Sequence, residues 1–248
     1  MSSRKFEPAP PRESTKLTPD APTRDGQAVR AMFDRIAQRY RVTNTVLSGG
    51  LDHLWRRRAA ALVRSWKPRR VLDVATGSGD LARSIERACP DAEVTGSDFS
   101  REMLSVARSL GSQRLVEADA LALPFKAGEF DVVTVAFGLR NMESWERALR
   151  EMSRVLRPGG HLLILDFSIP KPPLRWIYLP YLHHVLPLLA GWVTGERDAY
   201  RYLGDSIEIF PQGSELCERV EQAGFRAAKS EPLTAGIVTL YHAQRYPS

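Results

Sequence analysis

The chain has 248 residues, of which 43% are hydrophobic, so it can bury a sizeable core in one large domain or in two small ones. This composition excludes fibrous and wholly disordered proteins. The formal net charge of +6 is compatible with nucleic acid or an anionic membrane surface as a partner, and equally with an ordinary solvated basic face.

The cysteines and the N-terminal residues predict a cytoplasmic protein. Cys89 and Cys217 lie far apart and match no metal or redox spacing, so we interpret them as reduced packing residues. The first residues lack the apolar segment of a secretory signal peptide.

The predicted elements begin after a proline-rich N-terminal stretch. Residues 1–25 contain five prolines and little apolar material, which predicts a disordered tail. Helical periodicity starts near Gln27, and a second helix is predicted from Asp52 to Trp66, ended by Pro68.

From residue 70 short apolar runs alternate with helical stretches, a pattern typical of a parallel sheet covered on both faces. The predicted strands are 70–75, 92–97, 113–118, 130–137 and 160–167. The predicted helices between them are 79–88, 100–110 and 144–156. The motif Pro158-Gly159-Gly160 is expected to end the last of these helices and to turn the chain into the next strand.

Beyond residue 170 the pattern becomes irregular. Residues 176–195 carry no Asp, Glu, Lys or Arg and are long enough to span a bilayer. Pro180 and Pro187 interrupt them, so a lid, a core segment or a membrane-touching patch fits better. A helix near 213–223 and strands near 225–230 and 235–243 complete the prediction.

Two glycines lie between the first predicted strand and its helix, in DVATGSGD at 73–80. Glycine permits a tight turn there and lets backbone N–H groups approach a polar ligand. Asp98 ends the next strand, where an acid can accept both hydroxyls of a ribose. It could instead cap the following helix, although Ser100 competes for that position.

A nicotinamide dinucleotide and a nucleoside bearing an amino acid both fit such a loop. Asp73 favours the second ligand, because its carboxylate suits a cationic amino group and would repel a pyrophosphate. Asp119-Ala120 after the third strand adds a further polar position. The residues therefore favour S-adenosylmethionine, while Asp73 as a turn cap and Asp119 as an ordinary loop acid stay open.

In this order, and with LRPGG at 156–160, the motifs resemble those of class I S-adenosylmethionine-dependent methyltransferases. Other segments resemble, more specifically, the ubiquinone/menaquinone biosynthesis C-methyltransferase family. They are FDRIAQRY (33–40), LWRR (54–57), ALPF (122–125), FGLRN (137–141), YRYL (200–203) and LTAGIV (233–238). The likeness covers about residues 27–245, and FGLRN with YRYL downstream is far more specific than the glycine loop.

The resemblance implies a Rossmann-like α/β fold with a seven-stranded, mostly parallel sheet, helices on both faces and an antiparallel last strand. It implies one methyltransferase domain over 26–248, with N-terminal helices at 27–66 and a lid or substrate insertion at about 171–210. The cofactor-binding residues that it implies, together with those argued above, are Asp73, Gly77, Ser78, Gly79, Asp98, Phe99, Asp119, Ala120 and Ala136. Asp119 replaces a frequent Asn and Ala136 a frequent small hydroxyl residue, which puts the Ala136 contact in question.

The implied reaction is methylation at a ring carbon of a polyprenylated quinol, which needs no metal because the sulfonium methyl is already activated. Arg140 is expected to stabilise a phenolate, since a guanidinium is a poor base, and Asn141 to orient the ring hydroxyl. The proton acceptor is left open among Asp166, His183, Tyr200 and a water that they hold. A structural ion pair for Arg140 and plain packing for His183 are the simpler alternatives.

The expected partner is a lipophilic quinol, most simply demethylmenaquinol, although the ubiquinone-pathway benzoquinol is not excluded by the sequence. Residues 174–194 and the basic clusters at 55–58 and 67–70 suggest peripheral contact with the inner face of the membrane. Self-association, or association with other quinone-biosynthesis enzymes, is compatible with the sequence. No nucleic-acid partner is expected.

Three other functions compete with this prediction. An RNA methyltransferase acting on base nitrogens usually has an Asn/Asp-Pro-Pro-aromatic element where this chain has Gly138-Leu139-Arg140-Asn141, and cytosine C5 chemistry needs a suitably placed cysteine. A non-catalytic nucleotide-binding module needs no polar groups around Arg140. A methyltransferase for another small lipophilic or phenolic substrate shares the cofactor argument and is the serious alternative.

Overall fold

The computed structural model describes Asp34, residues 48–188 and residues 197–247, with side-chain detail in the last range from residue 202 onward. The predicted tail at 1–25 lies outside the described residues. So does the first predicted helix, apart from Asp34, which is helical.

Seven strands and seven α-helices make up most of the described chain. The strands are β1 (Arg70–Val74), β2 (Glu93–Asp98), β3 (Leu115–Glu117), β4 (Phe130–Ala136), β5 (Leu156–Phe167), β6 (Phe225–Leu233) and β7 (Val238–Arg245). The helices are α1 (Leu51–Ser65), α2 (Asp80–Ala88), α3 (Arg101–Ser109), α4 (Trp145–Val155), α5 (Leu174–Pro180), α6 (Arg197–Ile209) and α7 (Ser214–Gln222). Short 3-10 turns lie at Leu139–Asn141 and Thr234–Gly236, and a π-helical turn follows α5 at Tyr181–Val185.

The strands form one sheet in the order β3-β2-β1-β4-β5-β7-β6. β1 pairs in parallel with β2 and β4, and β4 pairs in parallel with β5. β7 runs antiparallel to both of its neighbours, β5 and β6. The predicted fold class, with a mostly parallel sheet and an antiparallel last strand, is confirmed.

The sheet is buried on both faces, as its apolar strands predict. Leu72 and Val133 belong to a cluster that α4 and α7 cover, whereas Val71 and Val132 face α1 and α2 on the other side. Alternate residues of β1 and β4 thus enter opposite layers, because successive strand side chains point to opposite faces.

Two predicted strands were too short. β5 already begins at Leu156, which pairs with Phe130 before an irregularity in the ladder, so the proline-glycine motif lies inside the strand. β6 extends to Leu233 and includes Pro232, which is tolerated because an edge strand leaves one side of its backbone unpaired.

The uncharged segment is described as far as residue 188. This part contains most of α5 and the π-helical turn, which pack on α6 through Tyr178, Leu182, Leu186 and Ile207. Of the helices that the structure describes, none has the length and hydropathy that crossing a membrane requires.

Candidate active site

The candidate site lies at the carboxyl ends of β1, β2, β4 and β5, where the strand order reverses between β1 and β4. Open parallel sheets bind ligands at such a switch point. The ends of β1 and β4 lie close together there: a Cβ on Gly138 would come within 2.7 Å of the Cβ of Ala75. Ala75 and Phe137, at these two ends, have left-handed backbone conformations with φ of 51° and 59°.

Asp73 joins the two strands beneath this edge. Its carboxylate accepts hydrogen bonds from Thr76 Oγ1 and Thr134 Oγ1, each at 2.6 Å. Burial raises the pKa of Asp73 to about 6, against these hydrogen bonds and the positive charge of Arg56, which favour the ionised form. The site thus contains a buried acid that a cationic ligand group would stabilise.

Asp98 ends β2 and holds the glycine loop. Its carboxylate accepts hydrogen bonds from the backbone N–H of Gly77 at 2.8 Å and of Ser100 at 3.0 Å. Burial raises the pKa of Asp98 to about 6 as well. Ser100, not Asp98, is the N-cap of α3, since its hydroxyl accepts from the Met103 N–H, and it also donates to Asp34.

The loop has the backbone that its glycines predict, with φ of 55° at Gly77 and 76° at Gly79. Ser78 is buried and donates to Asp80. The hydroxyl oxygen of Ser97 is buried and has no partner in the described part of the chain. Two buried acids, a left-handed glycine loop and this hydroxyl fit a cationic nucleoside such as S-adenosylmethionine.

The remaining predicted cofactor residues surround this loop. Asp119 is exposed and accepts the Leu121 N–H at 2.9 Å, while Ala120 is half-buried against the core. Phe99 directly follows β2, and Ala136 is the last residue of β4.

A buried ion pair lies beside the cofactor loop, at the ends of β4 and β5. Arg140 Nη1 donates to Asp166 Oδ1 at 2.5 Å and to the Phe137 carbonyl at 2.7 Å. The Arg140 residue is 3% exposed and Asp166 is 1% exposed. Burial raises the pKa of Asp166, against the opposing effect of Arg140. The structural ion pair considered for Arg140 is therefore present.

Three buried polar atoms around this pair have no hydrogen-bond partner among the described residues. They are the donor Arg140 Nε and the acceptors Asp166 Oδ2 and Asn141 Oδ1. An unpaired buried polar group costs about 1–3 kcal/mol, so several in one place indicate a ligand-binding site. One donor and two acceptors match a phenolic hydroxyl that loses its proton.

His183 and Tyr200 are not brought to this pair by any contact of the described residues. His183 Nε2 lies 2.6 Å from Glu208 Oε1 and its Nδ1 lies 3.9 Å from Asp205 Oδ1, so the ring links the π-helical turn to α6. Tyr200 lies in α6, and its side chain falls outside the described residues.

The sequence reasoning missed Tyr178. It lies on α5, only 8% exposed, and burial raises its pKa to about 12 against the effect of the nearby Arg140 charge. A single tyrosine in an uncharged stretch carries no sequence pattern that would place it near Arg140.

The interpretation of residues 55–58 as a basic surface was wrong for half of the cluster. Trp55 and Arg56 are buried, whereas Arg57 and Arg58 are exposed. Arg56 Nη1 pairs with Asp52 Oδ2 at 2.5 Å, one helical turn earlier, and Trp55 Nε1 donates to Thr234 Oγ1 at 2.7 Å. The spacing of four residues between the acid and the arginine was a signal for this pair.

Comparison with known proteins identifies similar chains. The ubiE/COQ5 methyltransferase family matches residues 22–245. The chain is 46% identical to a demethylmenaquinone methyltransferase of Thermus thermophilus over 86% of this chain and 100% of that one. It is also 46% identical to a ubiquinone/menaquinone biosynthesis C-methyltransferase UbiE of Syntrophotalea carbinolica, over 88% of this chain and 94% of that one.

Solved structures support the fold. An S-adenosylmethionine-dependent methyltransferase from Thermotoga maritima, described as a possible histamine N-methyltransferase, superposes with a TM-score of 0.62 at 19% identity. The match covers 87% of this chain and 99% of that one.

Proposed function

Because the chain belongs to the ubiE/COQ5 methyltransferase family, we propose that it uses S-adenosylmethionine to methylate a ring carbon of a polyprenylated quinol, converting demethylmenaquinol to menaquinol. The observation that carries this proposal is the buried Arg140–Asp166 pair with its three unpaired polar atoms, next to the acidic nucleoside site. Binding an RNA base or a nucleotide does not require a buried ion pair of this kind, whereas a ring hydroxyl that ionises requires both a cation and a proton acceptor.

Asp98, Asp73 and the glycine loop would hold the cofactor. The Asp98 carboxylate lies at the end of β2 for the ribose hydroxyls, and the turn at 77–79 lies beside it. The Gly77 N–H donates to Asp98 and the Gly79 N–H to the Thr76 carbonyl, and these bonds fix the turn. Asp73 offers negative charge to the ammonium group of the amino-acid end. When bound there, S-adenosylmethionine supplies a methyl group on a positively charged sulfur, already activated for transfer.

The ion pair would make the ring carbon electron-rich. Arg140 stabilises the phenolate form of the neighbouring ring oxygen through its unpaired Nε, because a charge-assisted hydrogen bond in a buried site is strong. Asp166 Oδ2 accepts the hydroxyl proton, and the burial that raises its pKa makes that acceptance easier. The ring carbon that takes the methyl group loses its own hydrogen as a proton, and Asp166 returns the first proton to the ring oxygen, so one proton is released per turnover. Asn141 Oδ1 orients the second polar atom of the ring.

The helix α5 would cover the ring and exclude water. Its buried Tyr178 faces the charge of Arg140, and the aromatic ring of Phe167 lies 5.3 Å from the Arg140 guanidinium carbon. A closed, water-poor site strengthens the electrostatic effect of the ion pair on the phenolate.

The proposal is tested by incubating the purified protein with labelled S-adenosylmethionine and either reduced or oxidised demethylmenaquinone. Only the reduced form has the hydroxyl that ionises, so we expect label in the reduced substrate alone. The reduced ubiquinone-pathway benzoquinol and a membrane lipid extract are tested as substrates in parallel. Label in the oxidised quinone at an equal rate would contradict the phenolate mechanism, and label only in another lipid would replace the substrate.

Two variants separate the roles of the ion pair and the cofactor acid. Arg140→Ala should lower kcat at least about 100-fold with S-adenosylmethionine affinity within about threefold, the size expected when one transition-state contact is removed. Asp98→Ala should first weaken S-adenosylmethionine affinity, measured by calorimetry. Turnover of Arg140→Ala equal to that of the parent would remove the role given to Arg140.

A further inference from the structure

Residues Asp52 and Arg56 form a buried ion pair on the first turns of α1 that the proposed reaction does not use. Both side chains are less than a tenth exposed, and they lie one helical turn apart. A buried ion pair is weak evidence for stability, because desolvation offsets most of its attraction. Its placement therefore calls for another explanation.

The pair lies at the ligand-binding edge of the sheet. The Arg56 guanidinium carbon is 5.5 Å from the ring centroid of Phe137, which ends β4, and its charge acts on the carboxylate of Asp73 on β1. Trp55, its neighbour, packs on the rings of Phe137 and Phe167. Arg56 thus belongs to the β1–β4 side of the cleft, across β1 from Asp98.

The direction of the nucleoside places the amino-acid end on this side. The sheet order places β3 on one side of β2 and β1 and β4 on the other. With the ribose at Asp98 on β2 and the adenine toward Asp119-Ala120 after β3, the amino-acid end would therefore lie toward β4. An α-amino acid carries an ammonium and a carboxylate, so its site needs an acid and a base. Asp73 supplies the acid.

Two other arginines near this edge are engaged elsewhere. Arg83 donates to Asp80 and to the Ser78 carbonyl. Arg140 donates to Asp166 and to the Phe137 carbonyl, and its unpaired Nε is assigned to the ring oxygen. Within residues 48–188 and 202–247, the hydrogen bonds of Arg56 go to Asp52 through Nη1. A guanidinium has five N–H donors, so among the described residues one edge of this guanidinium remains for a second carboxylate.

We propose that Arg56, held by Asp52, binds the carboxylate of the amino-acid end of S-adenosylmethionine, opposite the ammonium partner Asp73. This inference rests on the proposed cofactor and adds the residue that recognises its carboxylate. Asp52 is a positioning residue, which orients the guanidinium and offsets the cost of burying it.

Decarboxylated S-adenosylmethionine, which has the same sulfonium and nucleoside but no carboxylate, tests this directly. Calorimetry on the purified full chain would measure its affinity and that of S-adenosylmethionine. We expect the parent to prefer S-adenosylmethionine by about 10- to 100-fold, the size of one charge-assisted hydrogen-bonded contact. Arg56→Met should bring that ratio close to one, chiefly by weakening the carboxylated ligand.

Two further variants serve as controls for the role of Arg56. Arg57→Met is the matched control, since Arg57 is the next residue of α1 and is exposed, and it should keep the ratio of the parent. Asp52→Asn combined with Arg56→Met removes both buried charges, so it avoids leaving an unpaired acid, and it should also lose the preference.

Equal affinity of the parent for the two ligands would overturn the role of Arg56, as would an unchanged ratio in both Arg56 variants. A parent that takes up neither sulfonium compound would instead refute the proposed cofactor. The two failures are therefore distinguishable in the same titrations.

Discussion

Asp73 and Asp98 are charged groups in a place where charge is costly. Burial raises the pKa of each to about 6, whereas an aspartate in an unfolded chain titrates near 3.9. Between about pH 4 and pH 6 the folded chain therefore binds more protons than the unfolded chain, and these two acids destabilise the fold progressively as the pH rises through that window. Their cost is fully present above pH 6, and so at the neutral pH at which the proposed cofactor would bind.

A cationic ligand reverses this cost, since it stabilises the ionised carboxylates and lowers their pKa. S-adenosylmethionine affinity should consequently fall as the pH decreases from 7 to 5.5, by roughly 4-fold for one acid and by up to roughly 15-fold for both. Calorimetry across this range measures the change. Asp98→Asn should bind more weakly throughout and show a shallower pH dependence, and a pH-independent affinity of the parent would contradict the role of both acids.

At the scale of elements, the site depends on how the ends of β1 and β4 meet. Ala75 and Phe137 hold left-handed conformations that cost an ordinary residue about 1–2 kcal/mol, and Gly138 leaves space for Ala75. Strain of this kind persists only where the surroundings enforce it, and it is frequent at ligand sites. The conformation of each turn therefore depends on the close packing of Gly138 against Ala75.

Gly138→Ala should separate these turns, because its new Cβ would meet the Cβ of Ala75 at 2.7 Å. Overpacking of this kind costs about 1–3 kcal/mol, and a chain of this size loses about 2–4 °C in Tm for each kcal/mol. S-adenosylmethionine affinity should fall with it. The double variant Ala75→Gly/Gly138→Ala moves the methyl group to the other turn and should recover most of both losses; if it melts no higher than Gly138→Ala alone, the proposed contact is not the cause.

The sequence predicted these elements well where periodicity is the cause. The strands at 70–75, 92–97 and 130–137 agree with β1, β2 and β4 to within about one residue at each end. β5 was placed too late because a Pro-Gly-Gly motif predicts a turn, and only the pairing of Leu156 with Phe130 shows that the strand has already begun. Local sequence does not contain that pairing.

For the whole molecule, the sequence provided candidate residues for the site but not the contacts between them. Arg140 and Asp166 were both candidates, yet they lie 26 positions apart and only the sheet order brings them together. Tyr178 was missed for the same reason, since only the folded chain brings α5 within range of the Arg140 charge. The cluster at 55–58 divided into buried and exposed halves because α1 packs one face on the sheet.

That packing also determines how the molecule would meet its lipophilic substrate. On α5, Tyr178 is buried within range of the Arg140 charge, whereas Trp176 and Ile177 are 70% and 72% exposed. Val185 and Leu188, further along the same segment, are also exposed. Singly exposed apolar side chains are ordinary, but several of them on one helix near the proposed site for a prenylated ring lead us to propose contact with the bilayer.

We therefore expect the protein to bind vesicles through this surface, and Trp176→Ser/Ile177→Ser to lower binding at least about tenfold, because each buried apolar side chain contributes about 1.5–3 kcal/mol. Flotation with vesicles containing anionic lipid measures this binding.

Tyr246→Ser is the matched control, since Tyr246 is 54% exposed and follows β7. β7 runs antiparallel to β5, so it ends beside the start of β5, away from the carboxyl ends of the parallel strands. Turnover of a short-chain, water-soluble quinol should be the same in all three proteins, since the ion pair is untouched. Undiminished flotation of the double variant would show that the quinol reaches Arg140 without this surface entering the membrane.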